Sequence, residues 1–278
     1  MRENLAELWR FRYLLWQLVR RDLKVRYKNS RFGFVWSIMP PLMQVAVITY
    51  AFRYATPYAK NFDNYSAYVL VAIIPWTYFS TAVMDASMSI LMMYALVKKV
   101  YLPREVIPLA AAISNFIHFL LSWLVFGVYW WGVRRLVGSQ TPFLWTTLLL
   151  PYLIIVQFML VTGICLLVSC LNVFYEDVKY IVSILLGLGL FVLPIMYVVE
   201  QVTVHPLVTL IFYELNPISV LITGYRKILL EKPPDAAIGW NAPLDYASLL
   251  YVGIVSFMIL ALSYWYFNRR KWQFAERP

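Results

Sequence analysis

The stretch TTLLLPYLIIVQFMLVTGICLLVSCL, residues 146–171, contains no Asp, Glu, Lys or Arg across 26 positions. A helix crossing the hydrocarbon core of a bilayer needs about 20 mostly apolar residues, so this segment alone predicts a membrane span. Its two cysteines, Cys165 and Cys170, are the only ones in the chain. Five residues apart on different faces of a helix, they read as small packing residues, with no disulfide and no metal. Outward from this segment the pattern repeats. Further apolar runs at 33–54, 66–91, 107–132, 178–199 and 246–267 predict six spans in all.

Composition supports this reading. Of 278 residues, 62% are hydrophobic and 14% charged, and mean hydropathy is +0.67; a soluble domain carries about 25% charge. Aromatic residues make up 18% of the chain, which excludes disorder, because disordered segments are poor in them. The net charge of +10 would suggest nucleic acid in a soluble protein. Here position decides: nine Lys/Arg lie in the first 31 residues and four follow position 268. With the N-terminus inside, segments 1–32, 92–106, 172–177 and 268–278 hold sixteen Lys/Arg, against six in 55–65, 133–145 and 200–245. The excess of basic residues on cytoplasmic loops therefore places both termini in the cytoplasm of a multi-pass plasma (inner) membrane protein, with no nucleic-acid partner.

Four segments are not simple spans. Residues 3–28 read as an amphipathic interfacial helix, with Leu5, Leu8, Trp9, Phe11, Leu15, Trp16, Leu18 and Val19 on one arc and a basic opposite face. They lack the apolar core and cleavage site of a signal peptide. The helix serves either headgroup anchoring or a cationic entrance for an anionic lipid. Asp22 and Arg26, spaced i,i+4, are expected to pair. The segment YALVKKVYLPREVIPLA, 94–110, reads as a short cytoplasmic helix docking into a partner protein, since its apolar residues need a cover. Segments 203–214 and 217–231 are apolar but too short to cross, and Asn216-Pro217 between them is a good cap and first helical residue. They predict a re-entrant outer hairpin, a broken backbone tolerated where protein or an aqueous cavity surrounds it. Finally, Asp85 lies within the second span, where an acid faces the bundle interior or water. It is either a proton site, with His118 as the other candidate, or a structural hydrogen-bonding group.

No G-x-x-x-x-G-K-[ST], H-E-x-x-H, C-x-x-C or G-x-S-x-G motif occurs, and Glu176-Asp177 at a loop suits a helix start better than a metal centre. No catalytic residue or metal site is assigned; the chain is read as moving or holding a cargo without transforming it.

Six motifs in order carry a resemblance. RYKNSRFGFVWSIMPPL (26–42) resembles the opening of type-2 ABC exporter permeases that handle polysaccharides and polyol phosphates; Arg26, Tyr27, Ser30, Gly33, Trp36 and Pro40 match, with Phe32 where Leu is usual. LVKKVYLPREVIPL (96–109) is similar to that family's cytoplasmic coupling segment, and LNVFYEDVKYIV (171–182) to its N-x-x-x-R-D stretch, with Glu176 where Arg is commoner. PIMY (194–197), NPIS (216–219) and GYRKILL (224–230) match the remaining landmarks.

The resemblance implies an all-α membrane protein of the type-2 ABC exporter fold. Residues 1–32 would form a cytoplasmic gate helix and 33–278 a six-span domain with coupling segment 92–106 and outer hairpin 200–245. It implies pairing with a second copy and docking of two ATP-binding subunits, with ATP and Mg²⁺ on those subunits and no cofactor here. The cargo would be a polymer on a polyprenyl diphosphate lipid, either wall teichoic acid or O-antigen-type polysaccharide. Arg26, Tyr27, Lys28, Arg31, Phe32, Gly33 and Trp36 are the expected substrate entrance. Val97, Lys98, Lys99, Leu102, Pro103, Arg104 and Glu105 are expected to couple to the ATPase. Tyr197, Asn216, Pro217, Tyr225 and Arg226 are expected at the outer gate. The rivals are a permease for a drug or small lipid, an ion-coupled secondary transporter, which would want midplane polar groups in two repeated halves, and a membrane transferase.

Overall fold

The computed structural model describes residues 7–27, 35–55, 65–93, 102–137, 145–197, 210–230 and 244–275. Among them every regular element is helical: α1 (Arg12–Tyr27), α2 (Val35–Ala55), α3 (Tyr65–Met92), α4 (Val106–Val137), α5 (Leu150–Phe174), α6 (Val178–Val192), α7 (Pro217–Leu229) and α8 (Tyr246–Arg270). Short 3₁₀ turns at Trp145–Leu149 and Lys271–Ala275 extend α5 and α8, and a π turn at Leu210–Glu214 precedes α7.

Four helical stretches are long and apolar enough to cross a membrane: Tyr65–Met92, Val106–Gly132, Trp145–Phe174 and Tyr246–Phe274. They correspond to four of the six expected spans. The other two are shorter apolar helices, Met39–Phe52 and Val178–Val192. At 1.5 Å per residue, the 15 residues of α6 rise about 22 Å, less than the roughly 30 Å of a hydrocarbon core. The expected span at 178–199 ends early for a local reason: Leu193 precedes Pro194 and is extended (φ −75°, ψ 151°), the conformation that a following proline imposes.

Helix α3 is the centre of the bundle. Its residues from Ala67 to Ile74 are all buried, the all-round apolar pattern of a helix enclosed by others. Helices α2, α4, α5, α6 and α7 pack on it, and α8 lies along α5. The closeness of α5 and α8 depends on Gly163, where an added Cβ would sit 2.9 Å from both Cα and N of Leu260. The carbonyl of Pro75, inside α3, accepts from the buried Gln157 side chain of α5 at 2.8 Å and ties the two helices together.

Helix α1 docks on α4 through a narrower stripe than the apolar arc in its sequence. Leu18 and Val19 are buried against Val106 and Ala110, with Phe11 and Leu15 alongside. Trp9 and Trp16 stay outside, 70% and 46% exposed, with the guanidiniums of Arg12 and Arg20 over their rings. The arc thus serves two surfaces, protein on one flank and surroundings on the other. The expected Asp22–Arg26 pair does not form. Asp22 takes its neighbour Arg21 at 2.8 Å, and Arg26 turns inward to the bundle.

Candidate functional site: a groove between α1, α3 and α4

Arg26 stands at the end of α1 and reaches Asp85 of α3. Its Nη2 donates to Asp85 Oδ2 and, at 3.1 Å, to Asn115 Oδ1 of α4. Asn115 in turn donates to Asp85 Oδ2 at 2.8 Å and to the Ala111 carbonyl at 2.9 Å. Three elements distant in sequence thus meet in one hydrogen-bonded cluster. Of the two roles open for Asp85, the geometry supplies the hydrogen-bonding one.

The cluster borders a cavity of about 560 Å³ between α1, α3 and α4. Met84, Met88, Met92 and Met93 give it an apolar wall, and Arg21, Asp22, Arg26 and Asp85 a charged one, each arginine paired with a carboxylate. Methionine is unbranched and polarizable, so such a wall adapts to irregular apolar chains. A second, smaller cavity of about 130 Å³ lies between α2, α3 and α4, lined by Thr77, Tyr78, Thr81, Asn115, His118 and Ser122, together with Arg26 and the prolines Pro40 and Pro41. Arg26 lines both. Together they offer paired arginines and aspartates, a flexible apolar wall and, in the smaller cavity, hydroxyl and amide groups.

Of the other expected entrance residues, Tyr27 and Trp36 belong to helical backbone, while Lys28, Arg31, Phe32 and Gly33 lie outside the described residues. So do Val97, Lys98 and Lys99. Of the remaining residues expected to couple to a partner, Leu102, Arg104 and Glu105 make contacts within their own chain. Leu102 and Glu105 are buried in the chain itself, Glu105 completely. Its Oε1 pairs with Lys271 Nζ at 3.2 Å, and Arg104 donates to the Lys271 carbonyl. These side chains face the C-terminal turn of their own chain.

At the opposite end, Asn216 caps α7 by accepting from the Ile218 N–H at 3.0 Å, with Pro217 as first helical residue, as its sequence predicts. Tyr197 Oη lies 3.0 Å from Tyr213 Oη. Tyr225 and Arg226, also expected at the outer gate, are buried among helices of the chain. Tyr225 is fully buried, its ring 5.0 Å from that of Trp123. Arg226, 1% exposed, donates to Tyr68 Oη at 2.7 Å, to the Tyr68 carbonyl at 3.2 Å and to the carbonyls of Pro194, Ile195 and Tyr197. Its guanidinium also lies 3.5 Å from the Tyr68 ring centroid. A buried cation needs compensation, and here backbone carbonyls and an aromatic face supply it. Sequence reasoning missed Tyr68 and Asn115. The only signal was their polarity within spans, too common in apolar helices to single out a partner.

The chain matches the family model described as ABC-2 type transporter over residues 13–230. It belongs to the ABC-2 type transporter family. It is also similar over nearly its whole length to permeases. An "O-antigen export system permease protein RfbA" of Myxococcus xanthus is 30% identical over 274 residues, 97% of each chain. Two proteins of the same name from Klebsiella pneumoniae are each 28% identical, over 278 and 276 residues, covering 99% of this chain and 98% of theirs.

Proposed function

We propose that this chain is the transmembrane subunit of an ATP-driven ABC exporter whose cargo is an O-antigen-type polysaccharide carried on a polyprenyl diphosphate lipid. The observation that carries the reading is the near full-length likeness to three permeases named for O-antigen export. The groove beneath α1 gives it a mechanism. Exposed tryptophans and basic residues hold α1 at the headgroup level. A lipid diphosphate arriving there competes with Asp85 for Arg26, because charge-assisted bonds from a guanidinium to phosphate oxygens are strong and two can form at once. Asp85 and Asn115 keep the guanidinium aimed into the groove until the anion arrives. The methionine wall receives the prenyl chain, and the glycan follows past Arg26 toward the smaller cavity. Lys28 and Arg31, with the rings of Tyr27, Phe32 and Trp36, extend the same entrance.

In this reading α2 and α6 complete six spans, α7 is one arm of a re-entrant outer hairpin, both termini are cytoplasmic, and the membrane is the inner one. Two copies pair around a shared path, since a long polymer does not fit one enclosed site. Two ATP-binding subunits hydrolyse ATP with Mg²⁺ and push on the segment around 94–105. The test is ATP hydrolysis by the complete complex in proteoliposomes, with lipid-linked polysaccharide, lipid-linked teichoic acid or a small lipid added. Stimulation by the polysaccharide, weakened in Arg26→Ala with Arg31→Ala, supports the assignment. Stimulation by teichoic acid or the small lipid alone moves the chain to another cargo, and an unaltered response in the double variant removes the entrance.

A further inference from the structure

The last helix does not simply end at Arg270. Residues Lys271–Ala275 form a 3₁₀ turn that folds back under the bundle. Phe274, 2% exposed, meets Phe267 of α8 and Phe174, the final residue of α5, each at 5.5 Å between ring centroids. Arg104 closes over the Phe274 ring at 5.7 Å and donates to the Lys271 carbonyl. Beside it, Lys271 and Glu105 form a buried ion pair at 3.2 Å. One turn therefore ties together the segment leading into α4, the end of α5 and the end of α8.

Stability does not explain the pair. Taking two charges out of water costs several kcal/mol each, and apolar residues of similar volume often serve as well or better. Glu105 Oε2 moreover has no hydrogen-bond partner among the described residues. What an ion pair supplies that an apolar contact does not is a fixed register between the two segments. The register joins two distant parts of the chain. Residues 102–105 continue the segment expected to meet the ATPase. Helix α8 runs from the clamp to the opposite end of the bundle, where Tyr251 donates to the Leu215 carbonyl at 2.9 Å and Leu249 lies against Gly224 of α7.

We infer that Glu105, Lys271 and Phe274 are positioning residues that lock the cytoplasmic segment before α4 to the last helix, so that force applied there moves α8, and with it the region around α7, as one body. The inference rests on the exporter reading. Its test uses the complete complex in proteoliposomes and reads polysaccharide exported per ATP hydrolysed. Lys271→Glu sets two carboxylates against each other and should lower that ratio about tenfold, a usual size for an energetic coupling between sites, while ATP hydrolysis continues. Glu105→Lys combined with Lys271→Glu restores an opposite-charge pair and should recover most of the ratio. Should Lys271→Glu fail to assemble, the isosteric Glu105→Gln keeps a neutral hydrogen bond and should lower the ratio in an assembled complex. A wild-type ratio in Lys271→Glu or Glu105→Gln, or no recovery in the charge swap, overturns the inference. Absence of ATP-driven export by the unaltered complex would instead overturn the exporter reading itself.

Discussion

Replacing Arg226 with Met removes the cation from the carbonyl cage, and the cost can be worked from the bonds lost. Among the described residues Arg226 reaches five acceptors. Two of these keep other partners, since Tyr68 Oη still bonds the Tyr197 carbonyl at 2.9 Å. The Tyr68 carbonyl lies within a helix, where it accepts from the next turn. The carbonyls of Pro194 and Ile195 are in irregular backbone, and among the described residues Arg226 is the donor that reaches them. Stranding two buried carbonyls costs about 1–3 kcal/mol each, so about 2–6 kcal/mol in total. Removing a desolvated charge offsets part of this. Arg226→Lys should fall between, because an ammonium has three donors and lacks the planar fork. The assay is thermal unfolding of the purified chain in detergent: Arg226→Met should lose several degrees and Arg226→Lys fewer. An unchanged midpoint in Arg226→Met, or Lys behaving worse than Met, would refute the cage as a stabilising element.

Gly163→Val should destabilise by more than the roughly 1–3 kcal/mol typical of overpacked sites, because the clash is with backbone of α8; the same unfolding measurement checks it. Asp85→Asn should free Arg26 and tighten binding of a short-chain polyprenyl diphosphate, read as a lower Kd in detergent, whereas Arg26→Ala should raise it. Asp245 caps α8 through the Ala247 N–H at 3.0 Å, and its bond from Ser248, then that from Ala247, hold its carboxyl below the usual range. A depressed folded-state pKa means that the contribution is present at neutral pH and fades as pH falls through that value. Asp245→Ala should therefore cost about 0.5–2 kcal/mol at pH 7 and progressively less below about pH 4, by unfolding against pH.

The long spans were legible because their signal is local and redundant. Residues 146–171 predict what Trp145–Phe174 forms, and Asn216-Pro217 predicts its own cap. The shortfall at α6 was legible too, in Pro194, but mean apolarity outweighed a single proline. Tertiary choices were harder to read. Asp22 offered Arg26 an i,i+4 partner at a surface, where such a pair is worth little, and Asp85 with Asn115 offered two acceptors in a groove. Nothing in spacing along the chain ranks those alternatives. Glu105 and Arg104 were expected to meet a partner because the residues of their own chain that cover them, Lys271 and Phe274, come more than 160 positions later. Arg226, expected at the outer gate, gave no sign of its burial for the same reason, its cage being built from residues 68 and 194–197.

The central claim is that the chain is a permease driven by ATP hydrolysed on a separate subunit. Its most direct test is movement of a labelled lipid-linked O-antigen polysaccharide into vesicles whose membrane holds this chain with or without its ATP-binding partner. The account predicts uptake only with the partner and ATP, and none from the chain alone under a proton or sodium gradient. Uptake by the chain alone, driven by such a gradient, would contradict it.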